Sequence, residues 1–191
     1  MTNWTETPRL RLRPFTPDDA ADLAALHGDP EVMRFIDDGR PVPRAVVENS
    51  TLPGFLAEYR ELPLGQGCFA AEEIATGRFL GWFSARPAVS AGLDGGIEVG
   101  YRLRPAVWGR GFATEGLRLL VDRVLTHPGV ERVVATTMTV NTRSRRVLEK
   151  AGLTLVRTFF LEWPEYIEGA EHGDVEYALS RQDWACDRAR H

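Results

Sequence analysis

The fold of this chain is decided by the stretch IEVGYRLRPAVWGRGFATE, residues 97–115. Residues 97–103 predict a strand, and residues 114–125 predict an amphipathic helix with one apolar face. Between them lies a loop in which two glycines, Gly109 and Gly111, bracket Arg110. Small residues let an anion approach the backbone N–H groups at a helix start, where the helix dipole favours negative charge. The stretch therefore predicts a loop that suits a pyrophosphate.

The second informative stretch is NTRSRRVLEKAGL, residues 141–153. It predicts a helix over 142–151 that ends at Gly152 as its C-cap. Asn141 precedes this helix and is typical of an N-cap. A strand is predicted just before it, over 133–140. The strand and helix thus follow the glycine loop in the order strand, helix.

The rest of the chain alternates strand and helix signals without repeats, low-complexity segments or linkers. A helix capped by Thr16 is predicted over 16–28. Residues 43–61 are helical in character but interrupted at Pro53-Gly54, which predicts two short helices or one kinked helix. Further strands are predicted over 9–15, 68–74, 79–85, 153–163 and 175–179. These elements predict one mixed α/β domain over residues 1–191, with a core from about 8 to 184.

The composition is that of a soluble globular protein, with 43% hydrophobic and 26% charged residues in a chain of 191. A net charge of −4 argues against nucleic-acid binding, which needs a broad basic face. The start of the chain lacks a signal-peptide pattern, and no window approaches the roughly 18 apolar residues that span a membrane. Cys68 and Cys186 lie far apart without metal-ligand spacing. This favours two free thiols in a cytoplasmic protein without a metal site.

Both stretches resemble the GCN5-related N-acetyltransferase (GNAT) superfamily, and most closely its RimJ/RimL-like branch. The superfamily loop is (Gln/Arg)-x-x-Gly-x-(Gly/Ala), and residues 108–113 match it with Trp108 in the Gln/Arg position. That departure is usual in this branch, where Trp-Gly-x-Gly-(Tyr/Phe)-Ala-Thr-Glu recurs. The second stretch fits the branch pattern through Asn141, Ser144, the pair Glu149-Lys150 and Gly152. Two motifs in order, each on the expected element, are stronger evidence than a lone glycine loop.

The resemblance implies a central, mostly antiparallel twisted sheet that is flanked by helices and has a V-shaped splay between two parallel strands. It implies an acetyl-CoA-dependent N-acetyltransferase that transfers the acetyl group directly to a primary amine. The acceptor would be a protein N-terminal α-amine or a small-molecule amine. Relatives of this type are often dimers, which makes a homodimer an expectation for this chain as well.

The resemblance also assigns residues to the cosubstrate. The backbone N–H groups of the loop would hold the pyrophosphate, and the strand before it would pair with the pantetheine amides through Tyr101 and Leu103. Asn141 would hydrogen-bond the pantetheine arm, or serve as a simple N-cap, or do both. The candidate acetyl-CoA residues are Tyr101, Leu103, Trp108, Gly109, Arg110, Gly111, Phe112, Ala113, Thr114 and Asn141.

Two residues are candidates for catalysis. Glu98 is the candidate general base, acting through water, because it is an acid in an otherwise apolar strand next to the expected cleft. The backbone N–H of Val99 would face the oxyanion. By resemblance, Ser144 would hydrogen-bond the leaving sulfur. A thiol of pKa about 8.5 leaves readily as a thiolate, so Ser144 needs only to stabilise it and relay a proton. A purely structural role stays open for both residues.

Candidate acceptor amines differ in the free energy that is needed to deprotonate them at pH 7. An α-amine with a pKa near 7.8 costs about 1 kcal/mol at pH 7, and a lysine near 10.4 costs over about 4 kcal/mol. This favours an α-amine or a small-molecule amine. An acidic cluster after residue 160 would attract a cationic amine, or it is a solvated loop. Its members are Glu162, Glu165, Glu168, Glu171 and Asp174, around Trp163 and Tyr166.

Other functional classes are alternatives to an acetyl-CoA-dependent N-acetyltransferase. A catalytically silent acyl-CoA-binding module would keep the loop and lose the base and the acid, and a longer acyl chain would use the same fold. An acyltransferase with a thiol nucleophile would need an activated Cys68, which nothing in the sequence marks. A phosphate-loop NTPase is excluded because no Gly-Lys-Ser/Thr follows the glycines. Trp82 is predicted to lie in the core.

Overall fold

The computed structural model describes residues 5–63, 65–160 and 167–189. Its centre is an eight-stranded sheet with the order β1-β2-β3-β4-β5-β6-β8-β7. Neighbouring strands are antiparallel except β5 and β6, which are parallel. The strands are β1 (Thr5–Glu6), β2 (Leu10–Pro14), β3 (Gly67–Glu73), β4 (Arg78–Pro87), β5 (Ile97–Leu103), β6 (Arg132–Met138), β7 (Thr154–Phe159) and β8 (Asp174–Ser180).

Helices flank this sheet, as predicted. They are α1 (Ala20–His27), α2 (Pro30–Met33), α3 (Arg44–Val46), α4 (Leu52–Glu61), α5 (Phe112–Thr126), α6 (Thr142–Lys150) and α7 (Arg181–Arg188). The sequence prediction omits α7, whose start is capped by the side chain of Ser180. Within the described ranges, no helix combines the length and the apolar character needed to cross a membrane.

The helical segment over 43–61 is interrupted, but upstream of the predicted point. α3 continues into a π-type turn over Val47–Thr51, and α4 begins directly after it. Pro53 follows this turn closely, and its missing N–H leaves the preceding helical turn without one donor. The predicted interruption is therefore found, and it lies over Val47–Thr51, just before Pro53-Gly54.

Successive side chains of a strand point to opposite faces of the sheet. Apolar residues therefore lie on both faces, and each face has its own core. The core on the α5 and α6 side includes Leu10, Phe83, Val99, Phe112, Leu117 and Tyr177. The core under α1 and α4 includes Phe15, Leu23, Phe55, Cys68, Phe79 and Trp82. The sheet thus separates the helices that carry the two sequence motifs from the N-terminal helices.

Gly116 lets α5 lie close to the sheet. A Cβ at this position would lie 2.3 Å from Cζ of Phe83 and 2.7 Å from Cδ2 of Leu10. We expect Gly116→Ala to lower the free energy of unfolding by about 1–3 kcal/mol, because overpacking outweighs the better helix propensity of alanine. Urea unfolding of the purified variant measures this change.

The matched control is Gly54→Ala in α4. A Cβ at Gly54 would meet no heavy atom within 4 Å. We expect this second variant to raise the free energy of unfolding by about 0.5–1 kcal/mol, since alanine restricts the unfolded chain. If both variants changed stability in the same direction, close packing at Gly116 would not be the reason for its glycine.

Candidate active site

The sheet opens between β5 and β6. Their parallel pairing covers two residue pairs, Ile97 with Val133 and Glu98 with Val134. Beyond this point β5 stays paired with β4 as far as Leu103, and β6 stays paired with β8. The two strands therefore diverge from Val99 onward, and one edge of β5 presents backbone groups that β6 does not bind. This is the predicted V-shaped splay.

The glycine loop lies at the wide end of the splay, directly after β5. Gly109 and Gly111 have φ values of 74° and 87°, which are left-handed conformations that favour glycine. Gly111 is the N-cap of α5, and no side chain in the described ranges caps this helix. By contrast, α2 and α6 are capped by Asp29 and Asn141. The first N–H groups of α5 lack intrahelical partners and are left for an anion.

Neighbouring side chains hold this loop in position. The indole Nε1 of Trp108 donates to the carbonyl oxygen of Leu103 at 2.8 Å, which ties the loop to the end of β5. Nη1 of Arg9 donates to the carbonyl oxygen of Arg110 at 3.2 Å, and Nε of Arg9 donates to Glu115 at 2.8 Å. Trp108, predicted to bind the cosubstrate, thus has an anchoring role in the fold.

The side chain of Arg110 does not extend freely into solvent. Its Nη2 lies 3.4 Å from a carboxylate oxygen of Glu73, and its guanidinium lies 5.3 Å from the ring centroid of Phe112. About half of the side chain is exposed. The backbone of the loop, more than this side chain, is what the geometry offers to an anion.

A cavity of about 720 Å³ opens along the exposed side of α5, beside Gly111. Three cationic side chains line it, those of Arg9, Arg118 and Lys150. Arg118 is held against the end of α6, because its Nε donates to the carbonyl oxygen of Lys150 at 2.9 Å. The cavity gives the anion-binding loop a neighbouring volume that is large enough for a nucleotide-sized group.

Two hydroxyl groups meet across the splay. The hydroxyl of Tyr101, on β5, donates to Oγ of Ser144, on α6, at 3.4 Å. Burial raises the pKa of Tyr101, so this phenol is protonated at neutral pH. The Oδ1 of Asn141 accepts from the backbone N–H of Ser144 at 3.2 Å. Asn141 is therefore an N-cap, and its side-chain N–H groups are the donors that it retains for a ligand.

Glu98 lies on the other face of β5. It is opposite Arg86 of β4, whose Nε donates to Glu58 at 2.7 Å. Burial raises the pKa of Glu98, and the nearby positive charge of Arg86 acts in the opposite direction. Side chains on a strand alternate between faces, so Glu98 and Tyr101 project to opposite sides of the sheet. The two candidate catalytic groups, Glu98 and Ser144, thus lie on opposite faces of β5.

A smaller cavity of about 180 Å³ lies on the Glu98 side, beneath the N-terminal helices. It is lined by His27, Asp37, Val42, Thr51, Phe55, Trp82, Arg86 and Arg102. The indole of Trp82 donates to Nε2 of His27 at 3.0 Å. Burial lowers the pKa of His27 to about 4, and the charge of Arg102 adds to the effect, so His27 is neutral at pH 7.

The cysteines do not offer a nucleophile. Cys68 and Cys186 are both free, as predicted, and Cys68 is buried in the core under α1 and α4. Burial strongly raises the pKa of the Cys68 thiol, so the reactive thiolate is not formed at neutral pH. Acyl transfer through a cysteine intermediate has no support at Cys68.

Most of the chain matches one known protein family. The family described as an acetyltransferase (GNAT) domain matches residues 9–154, which include the splay, the glycine loop and both hydroxyl groups. The chain is a GNAT acetyltransferase. A relative from Aspergillus fumigatus, FsC-acetyl coenzyme A-N(2)-transacetylase, is 32% identical over 93% of this chain and 76% of its own length. The predicted superfamily and the predicted N-acetyltransferase activity are confirmed.

Solved structures of GNAT acetyltransferases have the same architecture. One from Bacillus anthracis has a TM-score of 0.77 at 19% identity and covers 94% of this chain and 99% of its own. RimL, a ribosomal alpha-N-protein acetyltransferase in complex with coenzyme A, has a TM-score of 0.73 at 17% identity and covers 93% and 97%. At these identities the likeness shows the fold alone, and it confirms the predicted fold class. The RimL structure is consistent with the RimJ/RimL-like resemblance.

Several residues of this GNAT site were missed by sequence reasoning. They are the hydroxyl of Tyr101, for which only backbone contacts were predicted, and the side chains of His27, Arg86 and Arg102. A signal for the arginines exists, because each is a charged residue in a strand that is mostly apolar. Trp82 is buried, as predicted, and also lines the smaller cavity.

Of the predicted acidic cluster, the structure describes Glu168, Glu171 and Asp174. Glu162, Trp163, Glu165 and Tyr166 lie outside those residues. Glu168 is exposed and its Oε2 accepts from Nη2 of Arg34 at 3.1 Å. Asp174 is buried at the start of β8 and therefore faces the protein interior.

Proposed function

We propose that this GNAT acetyltransferase binds acetyl-CoA in the splay and transfers the acetyl group directly to a primary amine. The observation that carries the proposal is the uncapped start of α5, between two left-handed glycines at the open end of the splay. Its backbone N–H groups suit a pyrophosphate. The free edge of β5 beyond Val99 suits the amides of the pantetheine arm, and the cavity beside Gly111 suits the nucleotide.

Each candidate catalytic group then has a defined task. Acetyl-CoA supplies the acetyl thioester. Glu98 takes a proton from the acceptor ammonium through water, and the raised pKa of this carboxyl makes it a better base than an exposed glutamate. The backbone N–H of Val99 stabilises the oxyanion. Ser144, hydrogen-bonded to Tyr101, stabilises the leaving thiolate and returns a proton to it.

The acceptor in this proposal is a small-molecule amine or a protein N-terminal α-amine. A single carboxylate acting through water suits an amine of low pKa better than a lysine. The relative from Aspergillus fumigatus carries both acetyl coenzyme A and an N(2) position in its name, which supports this cosubstrate and a nitrogen acceptor.

A homodimer and a cytoplasmic location stay predictions. The edge strand β7 supports pairing between two copies, because Leu155 and Val156 within it are about half exposed, at 51% and 53%. Phe160, directly after the strand, is 71% exposed. Exposed apolar edge strands invite pairing with another chain.

Isothermal titration of the purified protein with acetyl-CoA tests the proposal, with desulfo-CoA and ATP as comparators. We expect micromolar binding of acetyl-CoA and desulfo-CoA and no binding of ATP, since the splay and the loop recognise the pantetheine arm as well as the phosphates. An acceptor screen by thiol release follows. Failure of acetyl-CoA to bind would reject the cosubstrate and the acetyl transfer that depends on it.

Ser144→Ala is expected to lower kcat by about 10-fold and to leave the affinity for acetyl-CoA unchanged. The reduction is modest because a thiolate of pKa about 8.5 leaves without full protonation. Thr142→Ala, in the exposed first turn of α6, is the matched control and should retain wild-type kcat. Steady-state thiol release and desulfo-CoA titration separate the two effects. Unchanged kcat in Ser144→Ala would remove this serine from the mechanism.

A further inference from the structure

Arg102 is a nearly buried cation with weak compensation. Its side chain is 16% exposed, and its Nη2 lies 3.6 Å from Oδ2 of Asp37, a side chain that is itself 70% exposed. Its Nη1 lies 3.6 Å from the sulfur of Met33. The guanidinium stacks over the ring of Trp82, 5.2 Å from the centroid. Taking a charge out of water is costly unless it is paired and hydrogen-bonded.

Another arginine shows what full compensation looks like in this fold. The side chain of Arg13 is 17% exposed, nearly the same as Arg102, but Nη1 and Nη2 bind both carboxylate oxygens of Asp19 at 2.8 and 2.7 Å. Its Nε also binds Glu72 at 2.6 Å. Arg102 has the burial of Arg13 without such bidentate pairing, among the residues that the structure describes. Its donors are available to a ligand.

Among the cationic side chains that line the smaller cavity, Arg102 is the one with the weakest pairing. Arg86, on the neighbouring strand, is offset by the bonded Glu58 and by Glu98 opposite it. His27 is neutral at pH 7 because burial lowers its pKa to about 4. The other walls include the apolar side chains of Phe55 and Val42. An anionic group beside Arg102 would therefore meet one weakly paired cation, whose carboxylate partner is the exposed Asp37 at 3.6 Å.

Arg102 and the proposed base lie on the same face of β5. Glu98, Gly100 and Arg102 alternate along one face of β5, and Arg86, which lines the cavity, lies opposite Glu98. Glu98 and Arg102 are four positions apart on β5, so their backbones are separated by roughly 13 Å. The two long side chains can bridge part of that distance. An acceptor with its amine near Glu98 and an anionic group near Arg102 fits this arrangement.

We propose that Arg102 binds a carboxylate of the acceptor, so that the acetylated substrate is a carboxylate-bearing primary amine of amino-acid type. The inference rests on the proposed acetyl transfer and specifies its acceptor. The planar guanidinium matches a carboxylate bidentately. The volume of about 180 Å³ equals that of about six water molecules and suits a small head group. A polyamine would instead bring positive charge against a desolvated arginine.

The test compares the twenty free L-amino acids with their α-amides and with spermidine, measured by thiol release from acetyl-CoA. For the amino acids that are acetylated, we expect kcat/KM to exceed that of the matching amide by about 10- to 100-fold, as for one charge-assisted pair. Arg102→Gln should remove this ratio by lowering kcat/KM for the acids alone. Arg78→Gln, a half-exposed arginine on β4 away from the cavity, should preserve the ratio.

Each possible result of this test supports or contradicts the role proposed for Arg102. A preference for acids in the wild-type protein that Arg102→Gln abolishes supports the inference. Equal or higher kcat/KM for the amides or for spermidine overturns it, as does a ratio that survives in folded Arg102→Gln. Absence of turnover with every free acid also overturns it. The proposed acetyl transfer is judged separately, by acetyl-CoA titration and by turnover with any amine, so the two failures are distinguishable.

Discussion

Gly111→Glu is expected to abolish measurable binding of acetyl-CoA, with Kd raised by at least about 100-fold. The substitution puts a carboxylate at the uncapped start of α5, where the proposed pyrophosphate accepts hydrogen bonds from backbone N–H groups. Losing hydrogen bonds to a charged group costs about 1.5–3 kcal/mol each, and like-charge repulsion adds to this loss. Isothermal titration with acetyl-CoA measures the change.

The variant also forces a side chain into the left-handed region, and that effect needs its own control. Gly129→Glu provides it, because Gly129 has φ of 85° just after the C-terminal end of α5, and a Cβ there meets no atom within 4 Å. It introduces the same charge with similar backbone strain, at the opposite end of α5 from the loop. We expect it to bind acetyl-CoA as the wild type does. Wild-type affinity in a folded Gly111→Glu variant would refute the assignment of the loop.

Glu98→Gln is expected to lower kcat/KM for the acceptor by about 10²–10³-fold, the usual contribution of a general base. Glutamine keeps the size of the side chain and its hydrogen bonds but cannot take up a proton. The affinity for acetyl-CoA should stay unchanged, since Glu98 lies on the face of β5 opposite to Tyr101 and Ser144. Glu131→Gln, at a side chain that is 78% exposed, should have wild-type activity.

The pH profile gives an independent test of the same residue. Only the deprotonated carboxylate can act as a base, so activity must fall as the pH drops through the pKa of Glu98. Burial raises this pKa above its usual value of 4.5, which displaces the acidic limb of the profile to higher pH than an exposed glutamate would give. Glu98→Gln should lose this limb while the limb due to the acceptor amine remains. A profile that Glu98→Gln leaves unaltered would contradict the role.

Local signals made much of this fold predictable. The period-two pattern gave β5 its observed bounds, Ile97–Leu103, and the glycine bracket located the start of α5 to within two residues. These features depend on neighbours in the chain, which a sequence displays directly. The splay was predicted through the family resemblance, since no pattern within β5 or β6 states where their pairing stops.

The rest of the site depends on contacts between distant parts of the chain. His27 and Trp82 are 55 positions apart and share one hydrogen bond, and the weak pairing of Arg102 depends on how exposed Asp37 is. Neither relation has a local pattern. The π-type turn before α4 was missed for another reason: Pro53 marks a break in helical hydrogen bonding, but the sequence does not show that the irregular turn lies before the proline.

The division of the interior into two cores also bears on how such an enzyme can change. The core on the α5 and α6 side underlies the two sequence motifs, and the core under α1 and α4 underlies the proposed acceptor cavity, with Trp108 packed against both. Mutational effects at sites without shared contacts are nearly additive. Laboratory evolution can therefore randomise the N-terminal helices to select new acceptors while the cosubstrate half is inherited intact. A chain with two separate cores can acquire new acceptors while it keeps the same acetyl-transfer reaction.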